Sequence, residues 1–171
     1  MDDPKIIWLL KKAIRTELKQ QELYERLSIL AETFNCKMLF EALVNEEQKH
    51  EVLLKTYIST GDIEIARKKI NIYKTKFDLT SRIININYDS RELREGMILA
   101  AKNEQKQMME YMKLWTWATK KQMDLLLRDV MLSLVREESN HRAAIEYEYT
   151  RLFGHRMNLE GIDVSRLRQK S

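Results

Sequence analysis

Glu46-Glu47-Gln48-Lys49-His50 and Glu137-Glu138-Ser139-Asn140-His141 are the two stretches on which the reading of this chain turns. On an α-helix a three-residue step puts both side chains on one face about one turn apart, so each Glu-x-x-His offers an oxygen and a nitrogen to one centre. Glutamate is common, with 18 among 171 residues, yet two such pairs among three histidines would arise by chance at only roughly 3%. Both pairs also lie on apolar stripes. The first is Leu39, Leu43, Glu47, His50, Leu54 and Tyr57, and the second is Leu127, Met131, Leu134, Glu138, His141 and Ile145, each with the spacing of a helix's buried side. A carboxylate on a buried face must be paired, protonated or metal-bound. Glu46 and Glu137 fall about 100° off the stripes and read as flanking surface acids.

Outward from these motifs the pattern stays helical. Four Gly and one Pro interrupt the chain, and the abundance of Leu, Lys, Glu, Gln and Met predicts an all-α protein. Asp3 and Pro4 read as the start of a first helix with the stripe Ile7, Leu10, Ile14, Glu17, Tyr24, Leu27 and Ala31, ending near residue 32. Asn35 is placed to cap a second helix, which carries the first Glu-x-x-His and stops before Gly61. Residues 60-89 read as an Ile- and Lys-rich crossover on the outside, with a short helix from about 63 to 76 and a strand-like run at 83-88. Asp89 and Glu92 form a capping box for a third helix, with Leu93, Met97, Ala100, Glu104, Tyr111, Leu114 and Ala118 on one face. Thr119 and Gln122 read as a second capping box opening a fourth helix, which ends at Gly154. The polar, basic tail 155-171 reads as a frayed end or a docking arm.

An internal duplication links the helices. A shift of 87 residues aligns Ala13, Glu17, Lys19, Gln20, Tyr24 and Leu27 with Ala100, Glu104, Lys106, Gln107, Tyr111 and Leu114. A shift of 91 aligns Leu43, Val44, Glu46, Glu47 and His50 with Leu134, Val135, Glu137, Glu138 and His141. The shifts differ by about one helical turn, which an extended turn in either hairpin is expected to absorb without rotating the stripe. Residues 1-154 are therefore expected to form a four-helix bundle of two similar hairpins, with a long crossover between the second and third helices.

Glu17 and Glu104 interrupt corresponding apolar stripes, and with the two Glu-x-x-His pairs they make four carboxylates and two imidazoles. Two divalent cations would neutralise the four carboxylates, whereas without metal the clustered acids repel and take up protons. Mixed oxygen and imidazole ligands suit Fe or Mn rather than Ca or structural Zn. Glu47 and Glu138 are expected to bridge two metals, with Glu17, Glu104, His50 and His141 as terminal ligands. Tyr24 and Tyr111 follow the lone glutamates by two helical turns and are placed to hydrogen-bond a ligand carboxylate from behind.

Other functions find little support. The formal net charge of +4 is spread over alternating acidic and basic residues, which reads as a solvated helix surface rather than a nucleic-acid footprint. Cys36 is the only cysteine, so there is no intrachain disulfide and no four-thiolate metal site. The N-terminus reads as a helix start instead of a signal peptide, and no apolar run is long enough to span a membrane; a cytoplasmic protein is expected. His155 reads as exposed, the methionines as core or interface filler, Trp8, Trp115 and Trp117 as packing at bundle ends or subunit contacts, and no phosphate loop or Ser-His-Asp set can be assembled.

In its paired lone glutamates and Glu-x-x-His motifs, over about 120 residues of the four helices, the chain resembles the ferritin-like di-iron carboxylate proteins, and among them the rubrerythrin group. The resemblance implies a ferritin-like bundle, dimeric or larger. It further implies a non-haem di-iron oxidoreductase in which Glu17, Glu47, His50, Glu104, Glu138 and His141 act through two Fe ions to reduce peroxide or oxygen. Mn/Fe or Mn/Mn occupancy is compatible with the same ligands. Rubrerythrins proper carry a rubredoxin domain with four cysteines; here electrons are expected from a separate donor protein. Their extra glutamate after the third-helix ligand is replaced by Gln107. The haem-binding Met of bacterioferritin-like proteins is replaced by Gln48, so no haem is expected. The alternatives are a ferroxidase of an iron-storing assembly and a non-catalytic module stabilised by metal.

Overall fold

The computed structural model describes residues 4–72 and 90–159. Among them are five helices and no strand: α1 (Pro4–Leu30), α2 (Phe34–Thr60), α3 (Ile63–Ile72), α4 (Ser90–Lys120) and α5 (Leu125–Phe153). α1 packs along α2 and α4 along α5, α1 also lies against α4 and α2 against α5, and α3 rests on α2. Contacts of Lys12 with Glu110 and of Gln20 with Asn103 make α1 and α4 antiparallel. Contacts of Glu47 with His141 and of His50 with Glu137 do the same for α2 and α5. α2 and α4 therefore run parallel, and the chain leaving α2 at Thr60 must return the length of the bundle to enter α4 at Ser90. That geometry requires the long crossover. Its first part is α3, anchored by buried Ile63 and Ala66.

Two helix starts differ from the sequence-based expectation. Thr33, not Asn35, caps α2: its backbone is extended and its side chain accepts from the Cys36 N–H. Asp124, not Thr119, caps α5 by accepting from the Leu126 N–H. Thr119 instead lies in the last turn of α4, where its hydroxyl donates to the Trp115 carbonyl. α4 ends in a Schellman arrangement, with Gln122 N–H bonded to Thr119 O and Met123 N–H to Ala118 O. Gln122 takes the left-handed position, φ 51°, where glycine is usual, so this helix end carried no glycine signal. Gly61 and Gly154 do supply that conformation at the ends of α2 and α5. The proposed Asp3 and Asp89 caps, the strand-like run at 83-88 and tail residues 160–171 lie outside the described residues. The start of the tail is described. Met157 and Leu159 pack on the apolar cluster that contains Tyr149, and His155 is exposed and contacts Arg94.

The four-residue difference between the duplicated halves has a definite location. α4 continues three residues further past Glu104 than α1 does past Glu17, and the α4–α5 turn has one residue more than the α1–α2 turn. Helix extension thus accounts for most of a difference expected in the turn alone.

The core is divided in two. Ile6, Leu10, Leu54, Leu114, Leu127 and Met131 belong to one apolar cluster, which also takes in Ile63 and Ala66 of α3. Leu27, Phe40, Val44, Leu93, Met97 and Ile145 belong to the other. Glu17, Gln20, Glu47, His50, Glu104, Gln107, Glu138 and His141 are buried but belong to neither. Trp115 and Trp117 are partly buried against the first cluster, whereas Trp8 is exposed, as are Met109 and Met112 among the methionines.

Candidate metal centre

Each of the four long helices brings charge into this polar layer. Glu17, Glu47, Glu104 and Glu138 have no exposed surface, and His50 and His141 are 3% and 8% exposed. One potential ligand atom from each of Glu17, Glu47, His50 and Glu138 lies within 4.8 Å of the others, and the same holds for Glu47, Glu104, Glu138 and His141. Glu47 and Glu138 belong to both groups, the placement expected of bridging carboxylates. Both imidazoles turn Nδ1 inward. His50 Nδ1 is 3.2 Å from Glu138, 3.5 Å from Glu47 and 3.6 Å from Glu17. His141 Nδ1 is 3.2 Å from Glu47, 3.7 Å from Glu138 and 3.8 Å from Glu104. The rings stack with centroids 5.7 Å apart and planes 17° from parallel.

A test of whether these residues fit a metal lies in their unsatisfied atoms. Buried polar atoms nearly always have a hydrogen-bond partner. Here one oxygen each of Glu17, Glu104 and Glu138, both oxygens of Glu47 and Nδ1 of both histidines have none. These seven unpaired atoms of the six side chains, all carboxylate oxygen or imidazole nitrogen, could hold a metal ion.

Electrostatics in the metal-free layer follow from the same crowding. Burial, then repulsion from Glu47, raises the Glu17 carboxyl well above the ordinary range. Burial and Glu138 do the same to Glu104. Burial opposes ionisation of Glu47 and Glu138, as does the charge of Glu47 for Glu138, but the closely placed outer glutamates and imidazoles prevail and hold both low. Burial disfavours both imidazolium ions, yet the surrounding carboxylates overcome it, raising His50 well above its usual value and His141 to about 9. Glu17, Glu104, His50 and His141 are thus shifted toward keeping their protons, and Glu47 and Glu138 toward ionisation. Two divalent cations would balance the carboxylates without those protons.

The supporting bonds cross between the halves. Tyr24 of α1 donates to Glu104 of α4, and Tyr111 of α4 donates to Glu17 of α1. Gln20 Nε2 donates to Glu104 at 3.0 Å and is itself held by Asn103, while Gln107 Nε2 stands 3.5 Å from Glu138. Gln20 was visible only as an aligned identity of the duplication, Gln107 also as the residue in place of the rubrerythrins' extra glutamate, and nothing marked Asn103. Glu137 corrects an expectation. Read as a flanking surface acid, it is half-buried and pairs with His50 Nε2 at 2.8 Å, and that bond lowers its carboxyl to about 2. Angular position on α5 was read correctly, but α2 packs against that flank. Glu46 is equally half-buried, both side chains being 41% exposed, but it pairs instead with Lys49 on its own helix.

Beside His50, a cleft of about 610 Å³ opens between α2, α3 and α5, lined by Glu46, Arg67, Asp129, Arg136 and Glu137 among others. Cys36 lies in the apolar half away from the cluster, its thiol pushed up to about 12 by burial. No helix among the described residues is long and apolar enough to cross a membrane. Comparison with protein-family models, with curated proteins and with solved structures gives no match.

Proposed function

We propose that this chain is a di-iron carboxylate protein of ferritin-like type, related to the rubrerythrin group, that reduces peroxide or oxygen with electrons from a separate donor. The observation that supports it best is the convergence of seven unpaired buried donor atoms in two groups sharing Glu47 and Glu138. Glu17 and His50 would complete one metal position, and Glu104 and His141 the other. Bound iron supplies one-electron chemistry that these side chains cannot perform themselves. The chain's part is to position and insulate. Tyr24 and Gln20 hold Glu104, Tyr111 holds Glu17, and the apolar clusters limit water on either side. The antiparallel hairpins and long crossover support the ferritin-like assignment; a cytoplasmic homodimer or larger assembly completes the proposal.

The test is anaerobic Fe(II) loading followed by stopped-flow mixing with peroxide and, separately, with oxygen. The proposal expects two iron ions per chain and oxidation faster with peroxide than with oxygen. Loading that stays at two ions after combined Glu47→Ala and Glu138→Ala changes would refute the site. Turnover with oxygen that accumulates mineral in a large assembly would replace reduction by iron storage, and loaded iron inert to both oxidants would leave a structural metal.

A further inference from the structure

The duplication predicts two equivalent halves of the centre, but the residues behind the histidines are not equivalent. Glu46 and Glu137 occupy matching positions. Glu137 turns toward the centre: one carboxylate oxygen is 2.8 Å from His50 Nε2, and the other accepts from the Ser133 hydroxyl at 2.8 Å. Glu46 turns away, to Lys49 at 2.8 Å on its own helix. Two differences between the repeats account for this. Where Ser133 steers Glu137, the matching residue is Ala42, and where Lys49 draws Glu46 off, the matching residue is Asn140. His141 Nε2 consequently has no protein partner among the described residues, and its side chain is 10% exposed against 4% for His50.

We infer that the two metal positions are unequal, with Glu137 as the positioning residue that fixes His50 and His141 as the ligand that yields first. This rests on the dimetal reading above and deepens it. A carboxylate behind a ligating imidazole fixes its tautomer and ring orientation and makes its inner nitrogen a better donor, and losing such a partner typically lowers metal affinity by roughly 10–100-fold. The position built from Glu17, Glu47, His50 and Glu138 therefore holds its ion, while the one built from Glu47, Glu104, Glu138 and His141 exchanges.

Release of Co(II) provides the test. Protein loaded anaerobically with two Co(II) ions per chain is mixed with EDTA, and the cobalt ligand-field absorption is followed. Two phases separated by about tenfold or more are expected. Glu137→Gln should speed the slow phase by roughly 10–100-fold and merge it with the fast one, whereas Glu46→Gln should change neither. Ala42→Ser combined with Lys49→Asn gives Glu46 the surroundings of Glu137 and should slow the fast phase, a gain that a merely structural role for these residues would not produce. Release of both ions at one rate from the wild type, or a slow phase unchanged in Glu137→Gln, overturns the inference while leaving a dimetal site. Fewer than two bound Co(II) ions at the start overturns the dimetal reading as well.

Discussion

At the scale of single residues, the centre is a set of buried acids made tolerable by specific donors. Tyr24 and Tyr111 each give a phenol hydrogen to a glutamate of the other hairpin, and replacing either by Phe leaves a buried acceptor short of a partner. Such a loss costs about 1–3 kcal/mol. We expect Tyr24→Phe and Tyr111→Phe each to lower the stability of the metal-free protein by that amount in urea titrations, with two metals still bound per chain. Four of the six proposed ligands were legible because Glu-x-x-His on an apolar stripe is a local pattern, and Glu17 and Glu104 because they interrupt matching apolar stripes of the repeat. The crossing of Tyr24 to Glu104 and of Tyr111 to Glu17 was not, since a helical pattern specifies a face but not the helix that meets it. Glu137 was missed for the same reason.

At the scale of elements, the helices follow from periodicity and their ends from chemistry that is partly ambiguous. Thr119 with Gln122 satisfies a capping-box pattern, but α4 runs on through Thr119 and ends in a left-handed Gln122. A non-glycine residue there bears roughly 1–2 kcal/mol of strain, offset in part by the greater freedom glycine has when unfolded. Gln122→Gly should therefore raise stability by about 0.5–1 kcal/mol, seen as a higher denaturation midpoint with an unchanged slope. No effect would mean that the surrounding turn already relieves the strain. Of the connection between α2 and α4, α3 lies within the described residues. The need for that connection to be long became clear only from the directions of α2 and α4, which the contacts between helices define.

At the scale of the whole molecule, the polar layer ties stability to pH. Glu17, Glu104, His50 and His141 all have raised folded-state values. Each contributes stability that is present below its unfolded value and is lost as pH rises through its folded one; for His141 the loss spans 6.5 to about 9. Glu47, Glu137 and Glu138 are lowered, so their contribution is present above the ordinary carboxylate range and is lost on acidification, for Glu137 between 4.5 and about 2. The metal-free protein should accordingly be most stable just above the ordinary carboxylate value, at roughly pH 4.5–5, and lose stability from there toward pH 9. Saturating divalent metal should remove the alkaline loss, because the ions replace the protons. Binding of divalent metal should release protons, measurable from the buffer dependence of the binding enthalpy, because the ions take the place of the protons that the raised groups hold. Release of no protons would contradict the assigned protonation of the layer.

The sequence by itself determined the helical class, the two related hairpins and the six residues of the proposed centre, because these are written in short-range periodicity and in a repeat that can be aligned without knowing any contact. Tertiary structure decided which flanks face each other. Packing α2 against α5 turned Glu137 from a surface acid into the partner of His50, and left His141 without an equivalent, although the local patterns around the two histidines are nearly the same. Side chains about 100° off a buried stripe lie at a helix flank, and whether that flank meets water or another helix is settled only by the neighbour's position.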